Sequence, residues 1–364
     1  MSRLAELIEE LCPDGVEYRS LGELVRIRNG RDYKTLSSGI VPVYGSGGVM
    51  THVSEALGVG PTVLIPRKGS LDNIFFVEGE FWTVDTIFYT EIGAELEPKF
   101  FYYNMKTMRL SQMNEAAGVP SMNQRKLGRI RIPVPPLEVQ REIVRILDQF
   151  TTLEAELEAE LEARRTQYEH YRNHLLSYES LVARGQVEMV KLGECIKLSF
   201  GERITKIHDA GTRYPVFGGG GASFMTDSFN RSDEFVISRF ALSEVCVRYV
   251  PGEFWLLDSG ITFDVNESRC VKRYIGQFLL SRQLEIYRKS AGAAQRNLKT
   301  AEFLSMGVPL PGLSEQRRIA DLLDCFDSLV NDISSGLPAE IEARRTQYEY
   351  YRDRLLSFPE KPAD

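Results

Sequence analysis

The strongest constraint on the fold of this chain is an internal repeat. The sequence matches itself once, at an offset that grows from 171 to 180 residues along the chain. Gly79-Glu-Phe-Trp82 returns unchanged as Gly252–Trp255, and the octapeptide Glu162–Glu169 returns unchanged as Glu342–Glu349. Matches that keep their order indicate the duplication of a domain-sized unit, so we expect two similar halves.

Each copy begins with short hydrophobic runs that are broken by turn residues. Such runs, rich in Val, Ile, Phe and Tyr, are typical of short strands. They predict a mixed α/β domain at residues 16–135 and a second at residues 183–311. The runs are Val63–Pro66, Ile74–Val77 and Thr86–Tyr89 in the first copy, and Glu234–Ile237 and Ile261–Phe263 in the second.

The second part of each copy, residues 136–182 and 312–364, has the pattern of a long helix. No proline or glycine occurs from Leu137 to Tyr178, and apolar residues mostly step by three or four. A helix of that length is roughly 60 Å long and must bury its apolar side against another element. We therefore predict an α+β protein in which two mixed α/β domains are separated by two long antiparallel coiled-coil helices, related by a pseudo-twofold repeat.

The two long helices are not equal. Four extra residues stand near Ser335–Pro338 in the second copy, where glycine and proline predict a bend. Residues 1–15 match the tail end of a long helix, and we expect them to pack near the C-terminal helix.

The net charge of −7 is unevenly distributed. The two mixed α/β segments are each mildly basic, whereas the helical segments and the N-terminus carry the acidic excess. A local basic patch on each domain is therefore compatible with nucleic-acid binding in spite of the acidic total.

Several classes of protein are disfavoured by composition. Five widely spaced cysteines form neither a disulfide framework nor a zinc motif. No apolar run is long enough for a membrane span, and the acidic N-terminus lacks a signal-peptide core. These features predict a cytoplasmic protein without a membrane partner.

The glycine-rich stretch Phe217–Gly221 has the pattern of a methyltransferase cofactor loop. Its counterpart Tyr44–Gly48 occupies the same place in the other copy, and the sequence contains no Asn/Asp-Pro-Pro-Tyr/Phe motif. A tight turn is therefore favoured, and the pair His170 and His174 is better explained as a solvated helix face than as metal ligands. An enzyme with an unrecognised site remains an alternative.

The order of the sequence features and their duplication are similar to those of a known family. Each strand-rich segment ends in Pro-x-Pro followed by a glutamine and a long helix, at Pro133–Ile143 and at Pro309–Ile319. The Gly-Glu-Phe-Trp-x-x-Asp elements and the matched glycines Gly118 and Gly292 support the same reading. Over essentially its whole length the chain resembles the specificity subunits of Type I restriction–modification enzymes.

This resemblance implies a non-catalytic DNA-reading subunit. Each mixed domain would be a target recognition domain that reads one half of a bipartite site in double-stranded DNA, and the helices would set the spacer. Two modification subunits would dock on the helices and carry S-adenosylmethionine, while restriction subunits would carry the ATP- and Mg-dependent steps. The chain itself would hold no cofactor and no metal.

Contacts to DNA are expected from side chains that read base edges or bind phosphates, namely Arg, Lys, Asn and Gln. Trp82 and Trp255 are favoured as core anchors over base-stacking residues. The candidates are Arg31, Lys34, Arg67, Lys68, Asn123, Gln124, Arg125 and Lys126 in the first domain, and Arg203, Lys206, Arg239, Gln295, Arg296, Asn297 and Lys299 in the second. A repeat-built coiled-coil scaffold that binds protein partners remains the alternative function.

Overall fold

The computed structural model describes residues 3–114, 118–292, 296–331 and 336–362. These residues form two compact units. The first unit combines the chain up to Leu157 with the residues from Ile341 onward, and the second unit spans Glu158–Glu340. Each unit contains one mixed α/β domain and parts of the long helices, so the mixed α/β fold predicted for both copies is confirmed.

Domain 1 is the mixed α/β domain of the first unit, within residues 16–135. The strands predicted from its hydrophobic runs are present, and a 3-10 turn at Leu110–Met113 follows its longest helix. Its elements, with the helix that precedes them, are α1 (Arg3–Leu11), β1 (Tyr18–Ser20), α2 (Leu21–Leu24), β2 (Val25–Asn29), β3 (Ser38–Gly45), β4 (Gly48–Val53), β5 (Gly58–Val59), β6 (Thr62–Pro66), β7 (Phe75–Val77), β8 (Glu80–Thr83), β9 (Ile87–Ile92), α3 (Pro98–Thr107), α4 (Gln124–Gly128) and β10 (Arg131–Pro133).

Two four-stranded sheets form domain 1, with the orders β2-β9-β6-β7 and β4-β3-β8-β5. All strand pairs are antiparallel except β3 with β8, which run parallel. Every residue of β6 is buried, because this strand lies inside its sheet and is covered on both faces. The main core joins β6 and β9 to α3 through Val63, Ile65, Phe88, Phe100 and Phe101.

Domain 2 is the mixed α/β domain of the second unit, and it repeats this plan with one continuous sheet. The order of its six strands is β12-β17-β15-β16-β13-β14. The long strand β16 contains Gly252–Trp255, which in domain 1 lies across a turn and a shorter strand. After the helices α5 (Leu137–Leu175) and α6 (Tyr178–Val182), the elements are β11 (Val187–Lys191), α7 (Leu192–Cys195), β12 (Ile196–Phe200), α8 (Lys206–Asp209), β13 (Tyr214–Gly218), β14 (Gly221–Thr226), β15 (Arg231–Ser238), β16 (Val247–Leu256), β17 (Gly260–Val265), α9 (Lys272–Ser281), α10 (Gln283–Arg288), β18 (Ser290–Ala291), β19 (Asn297–Leu298), α11 (Thr300–Leu304) and β20 (Gly307–Pro311).

A short antiparallel ladder closes each domain where the chain enters and leaves it. In domain 1, β1 pairs with β10, and Leu21 donates its backbone N–H to the Ile130 carbonyl at 2.8 Å. In domain 2, β11 pairs with β20, and Leu192 donates in the same way to Met306 at 2.8 Å. Each domain therefore has its entrance and its exit side by side, at the start of a long helix.

Helix α5 runs without interruption for 39 residues, which corresponds to about 58 Å. In the first unit, Phe150 stacks on Tyr351 with ring centroids 5.7 Å apart, and Glu154 pairs with Arg345 at 2.6 Å. As the residue number rises from Phe150 to Glu154 along α5, the number of the contacted residue falls from Tyr351 to Arg345. The two helices are therefore antiparallel. Phe150 and Tyr351 belong to the apolar seam of the sequence, so α5 buries this seam against a helix of the second copy.

The second helical part is described as α12 (Leu313–Asn331) and α13 (Gly336–Leu355). In the second unit, Phe326 of α12 stacks on Tyr171 of α5 at 6.3 Å. Pro338 stands in the first turn of α13, where the missing amide costs no helical hydrogen bond. Residues 332–335 lie outside the described residues, and the bend near Gly336–Pro338 stays a prediction.

Helix α1 shares a core with the end of α13. Leu4 is buried in the same cluster as Leu356 and Phe358. Val16 donates its N–H to the Pro359 carbonyl at 2.9 Å, and Tyr18 donates its hydroxyl to Phe358 at 3.0 Å. The two ends of the described chain are therefore joined within the first unit by packing and by backbone hydrogen bonds.

Candidate nucleic-acid interface

In domain 1, several of the candidate residues from distant parts of the sequence meet at one end of the sheet β2-β9-β6-β7. Asn29 at the end of β2 pairs with Phe88 near the start of β9, and Pro66 at the end of β6 pairs with Ile87. Loops leave the sheet at this end. We call the set Asn29–Arg31, Arg67–Lys68 and Asn123–Arg125 the first polar edge.

Backbone hydrogen bonds fix the segment Arg67–Lys68 within the first polar edge. The N–H of Arg67 donates to the Thr86 carbonyl at 2.8 Å, and its carbonyl accepts from the N–H of Met122 at 2.8 Å. Gly69 donates to Pro120 at 2.9 Å. The residues that precede α4 are thereby tied to the loop that follows β6, which places Arg67 and Lys68 beside the N-terminus of α4.

Three of the four candidates in and before α4 use their side chains inside the domain. Asn123 caps α4 by accepting from the backbone N–H of Lys126 at 2.8 Å. Gln124 donates to the Ile27 carbonyl at 3.2 Å, and the Lys126 ammonium donates to the Met113 carbonyl. These side chains hold α4 in place against β2 and the 3-10 turn.

Arg125 differs from its neighbours in this helix. Its side chain is exposed and has no hydrogen-bond or ion-pair partner among the described residues. Arg31, Lys34 and Lys68 are exposed as well, while Arg67 is half-buried with its guanidinium 6.0 Å from the Phe88 ring. The first polar edge therefore presents cations to solvent from three separate loops.

Domain 2 builds the same arrangement from the equivalent loops. Phe200 at the end of β12 pairs with Ile261, and Ser238 at the end of β15 pairs with Gly260. We call the set Phe200–Arg203, Arg239–Phe240 and Asn297–Lys299 the second polar edge. Lys206 follows it closely, in the exposed helix α8.

The backbone bonds of the second polar edge repeat those of the first. Arg239 donates to the Ser259 carbonyl at 2.9 Å and accepts from Leu298 at 2.9 Å, as Arg67 does with Thr86 and Met122. Leu242 donates to the Arg296 carbonyl at 3.0 Å, as Gly69 does to Pro120. Arg67 and Arg239 are therefore equivalent residues of the duplication.

The same backbone hydrogen bonds correct one residue alignment that the sequence suggests. Counting from the matched glycines Gly118 and Gly292 aligns Ser121–Arg125 with Gln295–Lys299. The backbone bonds instead align Met122 with Leu298, which pairs Arg125 with Ala301. Two extra residues stand between the glycine and the helix in the second copy, so Arg125 and Arg296 are not equivalent.

The side chains of the second polar edge fall into two groups. Arg296 is bound internally, since its guanidinium donates to the Ser290 hydroxyl and carbonyl, each at 2.8 Å. Lys299 pairs with Glu302 at 2.9 Å. Arg203, Lys206 and Asn297 are exposed, and Gln295 lies outside the described residues.

Both tryptophans position the loop that follows the first strand of their sheet. The Trp82 indole N–H donates to the Arg31 carbonyl at 2.9 Å, and the Trp255 indole N–H donates to the Glu202 carbonyl at 2.9 Å. Trp82 is buried and Trp255 is half-buried. They anchor these loops from within the domain, in agreement with their prediction as core anchors.

The glycine-rich stretches are hairpin turns beside the polar edges. Gly45 pairs with Gly48 and Gly218 with Gly221, which leaves a two-residue loop in each copy. Gly48 and Gly221 have φ of 115° and 120°, a region that favours glycine. Both stretches are therefore explained as turns.

Sequence reasoning missed Arg248 and the two phenylalanines of the second polar edge. Arg248 donates to the Gly219 carbonyl at 2.8 Å and holds the glycine turn, and burial lowers the pKa of its guanidinium. The Phe200 and Phe240 rings lie 4.9 and 4.6 Å from the Arg239 guanidinium. The adjacent Arg239-Phe240 pair was the one signal in the sequence that could have indicated this stack.

The described residues contain no cluster of three or more His, Cys, Asp or Glu side chains able to hold a metal ion. In the same part of the chain, no helix has the length and apolar character needed to cross a membrane. Four cysteines are buried and Cys325 is exposed, all as free thiols.

Comparison with known proteins agrees with the duplicated geometry. The family described as Type I restriction modification DNA specificity domain matches twice, at residues 13–163 and 185–343. Both matches begin shortly before a mixed α/β domain and end inside a long helix. The chain belongs to this Type I DNA specificity family.

Individual members of the specificity family are similar over much of the chain. A Type I restriction enzyme specificity subunit of Escherichia coli is 31% identical over 299 residues, which cover 72% of this chain and 71% of that protein. The crystal structure of a Type I restriction–modification S subunit from M. genitalium has a TM-score of 0.60 at 15% identity, covering 94% of this chain and 96% of the other. A chain from a structure of a Type I system, described for complex assembly and conformational transition, has a TM-score of 0.56 at 17% identity, covering 95% and 97%.

Membership in the specificity family gives the chain a role in DNA sequence specificity. The two domains are its DNA recognition domains. The polar edges are the part of each domain where exposed cations and amides gather on loops, which is where binding residues are commonly found on a rigid scaffold.

Proposed function

We propose that this chain is the DNA-reading subunit of a Type I restriction–modification complex, in which each recognition domain reads one half of a bipartite site in double-stranded DNA. The observation that carries the proposal is the duplicated polar edge. The backbone hydrogen bonds that shape it are the same in both domains, while the side chains it presents differ. A common frame with different side chains suits two readers of two different sequences.

The long helices would set the spacer between the two half-sites and dock the partner subunits. Helix α5 supports this role because it runs unbroken for 39 residues, and because each of its parts is packed against a helix of the second copy. Half-site spacing follows protein geometry in other two-part DNA readers. Two modification subunits would bind these helices, and restriction subunits would join that core.

The chain would have no chemistry of its own. Its glycine-rich stretches are explained as turns, and S-adenosylmethionine, ATP and Mg would belong to the partner subunits. The complex would act on DNA in the cytoplasm.

Methylome sequencing tests this function. A host that lacks other Type I systems would express the chain together with its modification subunit, and a second host would express the modification subunit alone. We expect one bipartite methylated motif in the first host and none in the second. Absence of a motif in both hosts, with protein binding to the helices retained, would favour the coiled-coil scaffold instead.

DNA retention provides an independent check on the same complex. Affinity that depends on phosphate contacts falls steeply with salt concentration, because bound cations release counterions from DNA. A retention that is insensitive to salt would contradict the proposed role of the two polar edges.

A further inference from the structure

Arg239, in the second polar edge, packs against two aromatic rings. The carbon of its guanidinium lies 4.9 Å from the centre of the Phe200 ring and 4.6 Å from that of Phe240. Phe200 is 45% exposed, so the stack reaches the surface of the domain. Aromatic faces attract a guanidinium and restrict its plane.

The hydrogen-bond donors of Arg239 are nevertheless unused. Its guanidinium makes no hydrogen bond or ion pair with any residue that the structure describes. Arg296 shows the opposite behaviour in the same domain, since its guanidinium donates to Ser290 and to the Tyr287 carbonyl. Arg239 is therefore oriented by packing while its N–H groups stay available.

The backbone around Arg239 is fixed as well. Arg239 is bonded through its N–H to Ser259 and through its carbonyl to Leu298, each at 2.9 Å. Two residues on, Ala241 adopts a φ of 49°, an unfavourable region for a side chain other than glycine. Strain of this kind persists where surrounding contacts hold the chain in one conformation, and it is common at binding sites.

We propose that Arg239 reads a guanine in the major groove of the half-site bound by domain 2. This inference rests on the proposed function. The two rings attract the guanidinium without taking up its N–H groups in conventional hydrogen bonds, so its in-plane donors remain available to DNA. Guanine presents two acceptors, N7 and O6, that match two in-plane donors of an arginine, which is the commonest specific contact in the major groove.

Domain 1 lacks this arrangement at the equivalent place. Asn29 and Lys68 stand where domain 2 has Phe200 and Phe240. The equivalent Arg67 has one ring at 6.0 Å and a weak bond at 3.5 Å to the Asp85 carbonyl. The preorganised guanine reader is therefore a property of domain 2.

The test measures binding of the complex with its modification subunits to a duplex carrying its methylation motif. Each guanine of the motif, on either strand, is replaced in turn by 7-deazaguanine, which lacks the N7 acceptor. We expect one replacement to weaken binding about 10- to 100-fold in the wild type. In the Arg239→Met complex, which keeps an aliphatic side chain and loses every donor, that same replacement should have little effect.

Arg269→Met is the matched control. Arg269 follows β17 at the end of the sheet opposite to the polar edge, where it pairs with Glu188 at 2.8 Å. Its complex should keep the full sensitivity to the one 7-deazaguanine. If the Arg239→Met chain fails to fold, the same comparison is made with Arg239→Leu, which also lacks every donor.

Two results would overturn the proposal while leaving the proposed function intact. One is specific binding to a bipartite motif at which no 7-deazaguanine weakens the wild-type complex. The other is a sensitive guanine whose effect persists in full in the folded Arg239→Met complex. Failure of the function itself would look different, since no specific motif would exist.

Discussion

The buried amides of Gln140 and Gln316 make the same three hydrogen bonds in their respective units. Gln140 accepts from the Glu97 N–H at 2.8 Å and donates to the carbonyls of Glu95 and Pro135 at 3.0 and 2.7 Å. Gln316 accepts from Val271 at 2.8 Å and donates to Arg269 and Pro311 at 2.9 and 2.8 Å. Each glutamine joins the last strand of its domain, the start of a long helix and the loop before α3 or α9.

Replacing Gln140 by alanine should therefore destabilise the first unit. The substitution leaves buried backbone groups without partners, and we expect a loss of about 2–4 kcal/mol in the free energy of unfolding. Chemical denaturation of the chain in its complex would measure it. The control is Gln149→Ala on the same helix, where the side chain is exposed and the expected change is within about 0.5 kcal/mol. Equal losses for both variants would contradict the role assigned to the buried amide.

Replacing Trp82 by phenylalanine should weaken recognition of one half-site. The variant keeps an aromatic ring but removes the N–H that holds the Arg31 carbonyl, at a cost of about 1 kcal/mol in stability. Binding to duplexes mutated in one half at a time would show a loss confined to the half read by domain 1. Trp255→Phe should affect the other half, and a uniform loss from either variant would argue against loop positioning.

Arg125 and Arg296 should respond differently to alanine. Arg125 has no partner among the described residues, so Arg125→Ala should leave the melting temperature nearly unchanged and weaken DNA binding at one half-site. Arg296→Ala removes internal bonds to Ser290 and Tyr287 and should lower the melting temperature of the second unit. Thermal melts and footprinting on the same preparations would separate the two effects.

Lys106→Ala, at an exposed position on α3, is the control for a surface cation. It should change neither measurement. If Arg125→Ala left both affinity and site preference unchanged, Arg125 would be removed from the interface.

One thiol of five should react quickly in the native chain. Cys325 is exposed, whereas burial raises the pKa of Cys195 to about 12 and of Cys246 to about 11. Labelling with an alkylating reagent at pH 8 should modify Cys325 and spare the other four until the chain is unfolded. Mass spectrometry after digestion would locate the label, and rapid modification of Cys246 would contradict its buried position.

The same thiols link stability to alkaline pH. Their pKa values are raised in the folded state, so folding favours the neutral thiol. The stabilisation is complete below the ordinary thiol pKa of about 8.5 and is lost as pH rises through about 11 to 12. Denaturation midpoints should therefore fall over that range, and a Cys246→Ala variant should lose part of the dependence.

The sequence predicted the duplication, the mixed α/β character and the long central helix because these rest on patterns that extend over many residues. Trp82 and Trp255 could be assigned as anchors because both recur within the same tetrapeptide. The buried position of Gln140 was not predictable, since a glutamine at the start of a polar helix is usually exposed. Its burial depends on the Glu95 carbonyl and the Glu97 N–H, which lie 45 and 43 residues away in the sequence.

The detailed contacts of the two polar edges could not be predicted from the sequence. The correspondence of Arg125 with Ala301 depends on backbone bonds across a loop that differs by two residues between the copies. Which cations are free and which are bound internally depends on side-chain placement, as the contrast of Arg239 with Arg296 illustrates. Periodicity and composition carry no information about such contacts.

A domain-duplication chimera tests the central claim most directly. Residues Val16–Pro135 would be replaced by a second copy of Val187–Pro311, which keeps the matched ends of both domains. Methylome sequencing of a host with the chimera and the modification subunit should then reveal a motif whose two halves are both the half-site of domain 2, at a similar spacing. A chimera that folds, binds the modification subunit and still methylates the original asymmetric motif would contradict the account.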